Sequence, residues 1–173
     1  MSLPYSPTRR RIDPIQAARC YYRLMDITRA PIDLDPLLKK LWFEVHESGV
    51  VLEGLLVRVE VEYRWWIVVN SALELPRRRF VIAHELGHYA CAHPLTPVSL
   101  DALATTQAVP PAAPAFERDA NRFAAELLMP PMLFRELAER YADNPRHRLA
   151  NLADDFAVSP GAVRARMNEL RIR

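Results

Sequence analysis

Apolar positions follow two rhythms along this chain, and the change between them separates its elements. Ile15, Ala18, Tyr22 and Met25 recur about one helical turn apart, which predicts a helix. Asp13 stands as its N-cap and Pro14 as its first helical residue, where the missing N–H does no harm. Pro31 ends that stretch. A second short helix is predicted from Asp33 through Leu34, Leu37, Leu38 and Leu41, with Pro36 tolerated in its first turn. From Trp42 to Asn70 the rhythm shortens. WFEVHE, GLLVRVEVE and RWWIVVN are rich in β-branched and aromatic residues, and Val57, Val59 and Val61 alternate with charged neighbours. Three strands are expected, with a turn at Ser48-Gly49 and a hairpin turning near Glu62–Arg64.

Helical spacing returns after Pro76, in RRRFVIAHELGHYACAH, entered through a basic turn. Residues 94–116 hold several prolines among Ala, Thr and Val with no period, a loop longer than compact domains usually carry. A helix is predicted from Phe116 to Met129, closed by Pro130-Pro131, and another over Met132–Ala142. Two short helices flank AVSPG. Leu149, Leu152, Ala153 and Phe156 precede it, Val163, Met167 and Leu170 follow, and Ser159 and Pro160 start the last helix. The expected fold class is therefore α+β, a small and mostly antiparallel three-stranded sheet on a helical core. Residues 1–142 form its main domain and 143–173 a tail packed on it.

Composition narrows the setting without naming a partner. Across 173 residues, half are apolar and a quarter charged, which is ordinary globular chemistry, and one domain is the default. A net charge of +2 implies neither nucleic acid nor membrane, although residues 1–30 and 145–173 each carry six arginines. Cys20 and Cys91 are the only cysteines, far apart, which speaks against a disulfide framework. The first residues lack the apolar stretch of a secretory signal, and no segment is long and apolar enough to span a bilayer. A cytoplasmic location with no membrane contact is expected.

The chemistry sits in His84-Glu85-Leu86-Gly87-His88, an H-E-x-x-H motif. Residues four apart on a helix share a face, so His84 and His88 can hold one metal ion. Chance places this pattern in roughly one chain in a hundred of this size, and here it follows the apolar run Phe80-Val81-Ile82-Ala83. Zinc with three protein ligands keeps an open position for water and lowers that water's pKa towards ~7. Glu85 is the expected general base. Gly87 costs helix stability, and close backbone approach is a common reason to keep one.

A third ligand is needed. His93 lies about 180° around the helix from His84, and it is five residues after His88 with no intervening glycine, unlike the longer three-histidine motif. It reads as a surface or helix-end residue. Glu117 is the better candidate, on a face it shares with Asn121, Ala124 and Leu128, whereas Asp119 and Glu126 should face away. Asn121 would then accept the free N–H of a ligating histidine. Cys91 lies in line with His84, but a buried cysteine usually acts as a small apolar residue. Tyr63, Trp65, Trp66, Val68 and Tyr89 are candidates for a substrate groove, though aromatics at strand spacing are more often core; Tyr89, Trp66 and Val68 are retained. Arg64–Asn70, directly before the motif helix, is expected to be an edge strand able to pair with an extended peptide. The 94–116 loop connects the two metal-bearing helices and is expected to pass over their cleft as a mobile lid.

Taken together, RRRFVIAHELGHYACAH, ERDANRFAAELLMP and LADDFAVSPGAVRARMNEL, in that order, resemble the ImmA/IrrE family of metallopeptidases. The strand ending in IVVN before the motif helix is similar too. The resemblance implies a zincin-like core with zinc on His84, His88 and Glu117, and Glu85 as catalytic base; the sequence leaves open whether manganese takes zinc's place in the cell. It further implies a helix-turn-helix-like tail and cleavage of a DNA-binding helix-turn-helix repressor that controls stress or mobile-element genes. Ending at Arg173, the chain is expected to lack the extra sensory domain of some relatives. Two other functions compete: direct DNA binding through Arg164, Arg166, Arg171 and Arg173 of the tail, and a non-cleaving partner that binds a repressor. An intact Glu85 speaks against a purely structural metal site, and Val158, Val163 and Met167 favour a tail packed on the core.

Overall fold

Proline at the first or second helical position opens every described helix, because its fixed φ suits the first turn and its absent N–H would be unsatisfied there anyway. In the computed structural model, which describes residues 12–25, 27–49, 53–59, 64–94 and 112–172, these are α1 (Pro14–Tyr22), α2 (Asp35–Lys40), α3 (Leu75–Ala90), α4 (Pro114–Leu128), α5 (Pro131–Arg140), α6 (Pro145–Phe156) and α7 (Pro160–Glu169). Asp13 caps α1 by accepting the Ile15 N–H at 2.9 Å, and Ser159 caps α7 by accepting from Ala162. Pro131, expected to help close α4, instead opens α5.

Strands β1 (Phe43–Ser48), β2 (Gly54–Val59) and β3 (Arg64–Asn70) form one sheet in the order β1-β3-β2. β1 runs parallel to β3, with Val45 opposite Ile67, and β2 runs antiparallel to it, with Leu56 opposite Ile67. The sheet is thus evenly mixed rather than mostly antiparallel. β3 is also its central strand, which corrects the expectation that Arg64–Asn70 is an edge. The run Ile67-Val68-Val69, buried on both faces, already has the character of a central strand. The expected hairpin joins β2 and β3, but its turn at residues 60–63 lies outside the described residues.

Strand alternation divides the sheet into two faces. Phe43, Val45, Leu56, Trp65, Ile67 and Val69 turn towards the helices and join one core with Val81, Leu86, Phe123 and Leu127. Trp66 and Val68 turn the other way, where the Trp66 ring lies 4.2 Å from that of His46.

The C-terminal pair closes on this core. Between α6 and α7, Ala157 takes a left-handed turn with φ 49°. Val163 and Arg166 are buried, and Arg166 is tied to Glu126 Oε2 at 2.6 Å, to the Met129 carbonyl and to Glu169. Glu126 also accepts from Arg19 at 2.7 Å, while its carbonyl accepts from the Tyr22 hydroxyl. One buried carboxylate on α4 thus pins α1 and α7. Arg166, one of the arginines considered for phosphate contact, is committed to the interior, Arg164 and Arg171 are exposed, and Arg173 lies outside the described residues. No described helix is long and apolar enough to cross a membrane.

Candidate metal centre

Helix α3 carries His84 and His88 towards α4, and a close crossing sets the distance between the two helices. A Cβ added at Gly87 would lie 3.1 Å from the Ala120 Cα and carbonyl oxygen and from the Phe123 ring. Glycine there lets the backbones approach, and Glu117, one turn before Ala120, comes level with the two histidines.

His84 Nε2 and His88 Nε2 are 3.0 Å apart, and the Glu117 carboxylate lies 3.2 Å from the first and 3.7 Å from the second. Ligand atoms about 2.0–2.2 Å from a tetrahedral zinc would stand ~3.3–3.6 Å from one another, so this set fits such an ion. Its protonation fits as well. The Asn121 Oδ1 lies 3.0 Å from His84 Nδ1 and accepts its N–H, leaving the Nε2 lone pair facing the cluster. Burial lowers the His84 pKa, against the opposing pull of Glu117, and pushes His88 down to about 3, reinforced by His84 and His93. Neutral imidazoles are what a metal requires. Among the described residues this is the only group of three such side chains whose ligand atoms converge, and Cys91 is not part of it.

Glu85 projects from the same helix towards β2 and accepts a hydrogen bond from the Leu56 backbone N–H. Burial, then the Glu117 carboxylate, push its pKa up to about 8, and the Leu56 N–H opposes them. β2 lies so close to α3 that a Cβ on Gly54 would sit 2.3 Å from Val81 Cγ1 and 3.1 Å from the Glu85 carboxylate. The strand edge beside the cluster therefore belongs to β2, not β3. Among the described residues no strand pairs with its outer side.

The groove residues fare differently. Trp66 and Val68 occupy the sheet face away from α3, so they cannot line a cleft between α3 and α4; strand alternation puts them there once Trp65 and Ile67 face the helix. Tyr89 packs edge-on against Phe43 and Trp65, at 5.0 and 5.2 Å between ring centroids, as a wedge between helix and sheet. Tyr63 and most of the 94–116 loop, from 95 to 111, lie outside the described residues, as does the expected lid.

His93 stands just past the helix end and outside the cluster, as expected, but not at the surface. It is buried, and its Nδ1 lies 3.1 Å from His88 Nδ1. Helical angles cease to apply beyond Ala90. Ala92 adopts φ 52°, its N–H bonds the Tyr89 carbonyl, and the His93 N–H bonds the His88 carbonyl, the paired bonds of a Schellman turn. That turn folds His93 back beneath His88. Asp119, expected to face away from the site, does point away from the cluster itself but is buried 4.0 Å from His93 Nε2.

A family model described as Peptidase_M78, the IrrE N-terminal-like domain, matches residues 45–168. Among solved structures, a Mycobacterium tuberculosis transcriptional regulator is similar with a TM-score of 0.56 and 20% sequence identity. The similarity covers 89% of this chain but 46% of that one, so the chain spans about half the length of this neighbour, and the likeness speaks to fold alone. No curated protein matches it.

Proposed function

The chain belongs to the Peptidase_M78 family of IrrE N-terminal-like domains, and from that premise we propose that it is a zinc-dependent endopeptidase cutting a specific DNA-binding repressor. The observation that carries this reading is the convergence of His84, His88 and Glu117, with Glu85 on the same helix. His84 and His88 would hold the ion through Nε2 and Glu117 through its carboxylate. Zinc there, or manganese in the cell, supplies Lewis acidity that polarises a carbonyl and makes water acidic.

The remaining work falls to the chain's own groups. Glu85 would take a proton as water adds to the scissile carbonyl and deliver it to the leaving amine. In the metal-free chain burial and Glu117 push its pKa up to about 8, and beside a bound cation the carboxyl would return to the ionised form that accepts a proton. Asn121 would keep His84 in the tautomer that presents Nε2. An extended peptide would lie along the outer edge of β2, since main-chain pairing there brings its carbonyls beside Glu85. A selective substrate suits a regulatory setting, in keeping with the solved neighbour's description as a transcriptional regulator.

The test incubates purified protein, loaded with zinc or manganese, with candidate helix-turn-helix repressors, beginning with any that a neighbouring gene encodes, and follows cleavage on a gel. One discrete cut that disappears in Glu85→Gln supports the proposal. Equal cutting by both proteins removes Glu85 as base. Stable binding without any cut favours a non-cleaving partner.

A further inference from the structure

Beyond the ligands, a second line of side chains leads away from His88. From its geometry we infer that His93 and Asp119 are positioning residues that fix the tautomer and ring orientation of His88, an inference that rests on the metal reading above. His93 Nδ1 faces His88 Nδ1 at 3.1 Å, on the ring side opposite the cluster, so His93 is not a fourth ligand. Two imidazole nitrogens at that distance share one proton. If His88 Nε2 gives its lone pair to a metal, its Nδ1 bears the hydrogen, and His93 Nδ1 must accept it. His93 then carries its own proton on Nε2, which faces Asp119 Oδ2 at 4.0 Å. An anionic carboxylate on that side favours this tautomer. The polarity therefore runs one way, from the Asp119 carboxylate through His93 to His88 Nδ1, with His88 Nε2 left facing the cluster.

The arrangement is rigid enough to orient a ligand. The side chains of His93 and Asp119 are 3% and 5% exposed. Phe116 stacks on the His93 ring with centroids 4.7 Å apart and 29° between planes. The Schellman turn anchors the His93 backbone to the His88 carbonyl. His84 is oriented by a single amide, Asn121, whereas His88 is oriented by a ring backed by a carboxylate. Groups that hold a metal-binding histidine through its second nitrogen are typically worth ~10–100-fold in metal affinity.

Three variants separate hydrogen bonding from packing. His93→Phe keeps the stack on Phe116 and removes the acceptor; His93→Asn keeps a polar atom near Nδ1 and loses the ring; Asp119→Asn keeps the shape and removes the charge. Zinc and cobalt(II) dissociation constants are measured by titrating the metal-free full chain against a chelator, with the visible spectrum of the cobalt form and the metal-free urea midpoint recorded in parallel. The inference expects ~10–100-fold weaker binding for His93→Phe, a smaller loss for Asp119→Asn, recovery of part of the affinity in His93→Asn, and a changed cobalt spectrum. Should His93→Phe not fold, Asp119→Asn and His93→Asn carry the comparison. Unchanged affinity and spectrum in folded variants, while the wild type binds tightly, would overturn the inference and leave the metal reading intact. A wild type that binds neither metal would overturn both.

Discussion

Replacing Glu85 by glutamine should abolish cleavage and yet make the metal-free protein more stable. The Glu85 carboxyl, ordinarily titrating at 4.5, is raised to about 8 in the folded chain by burial and by Glu117. At pH 7 the unfolded chain carries it ionised and the folded chain carries it mostly protonated. Folding thus takes up a proton, and stability falls as pH rises through that window. The cost is near zero below pH 4.5 and grows by ~1.36 kcal/mol for each pH unit above it. It reaches about 3 kcal/mol at pH 7 and levels off near 5 kcal/mol above pH 8. Glutamine is neutral in both states and still offers an oxygen to the Leu56 N–H, so it escapes this cost. Urea melts of the chelator-treated proteins from pH 5 to 9 should show the variant's advantage growing with pH. Curves that stay parallel across the range would refute a proton-holding Glu85, and a wild type that gains on the variant as pH rises would reverse the sign of the argument.

Other perturbations test the framework around it. Gly87→Ala adds a methyl 3.1 Å from Ala120 and Phe123; overpacking of ~1–3 kcal/mol, less ~1 kcal/mol regained in helix propensity, should lower the urea midpoint and weaken zinc binding by displacing Glu117. A more stable variant would mean that the helix crossing does not require glycine. Arg166→Met should cost about 3–5 kcal/mol, because it strands the buried Glu126 with Arg19 as its remaining ion-pair partner; a loss below ~1 kcal/mol in urea unfolding would contradict that role. His84→Ala, His88→Ala and Glu117→Ala should each lose zinc by elemental analysis, whereas Glu85→Gln should keep it; zinc retained after Glu117→Ala would remove that residue as a ligand. Chelation should lower the wild-type melting temperature and added zinc should restore it, since an ion that binds the folded state stabilises it by mass action.

Much of the fold was legible in order along the chain, because short-range rules govern it. Proline and polar caps set where the helices begin, and runs of β-branched and aromatic residues marked β1, β2 and β3 before any contact was known. Spacing within a helix was enough to put His84 and His88 together, and spacing on α4 turned Glu117 and Asn121 to one face. Even Gly87 announced a close approach, although the sequence did not say what approached.

What the tertiary structure decided concerns neighbours distant in sequence and the points where regular geometry stops. Strand order depends on how the sheet packs on α3: the apolar run Ile67-Val68-Val69 suits a central strand, but only that packing put the β2 edge beside Glu85. Trp66 and Val68 read as groove residues until alternation was referred to a particular face. The burial of His93 follows no helical angle, because the rotation of about 100° per residue stops at Ala90 and a left-handed Ala92 turns the chain back on itself. Asp119 matters only through that turn, and Arg166, in sequence one of several basic residues on a tail helix, is buried because Glu126 on another helix meets it. Local sequence specifies dihedral preferences and helical faces over a few residues, whereas pairing between elements depends on packing energies that only the assembled core supplies.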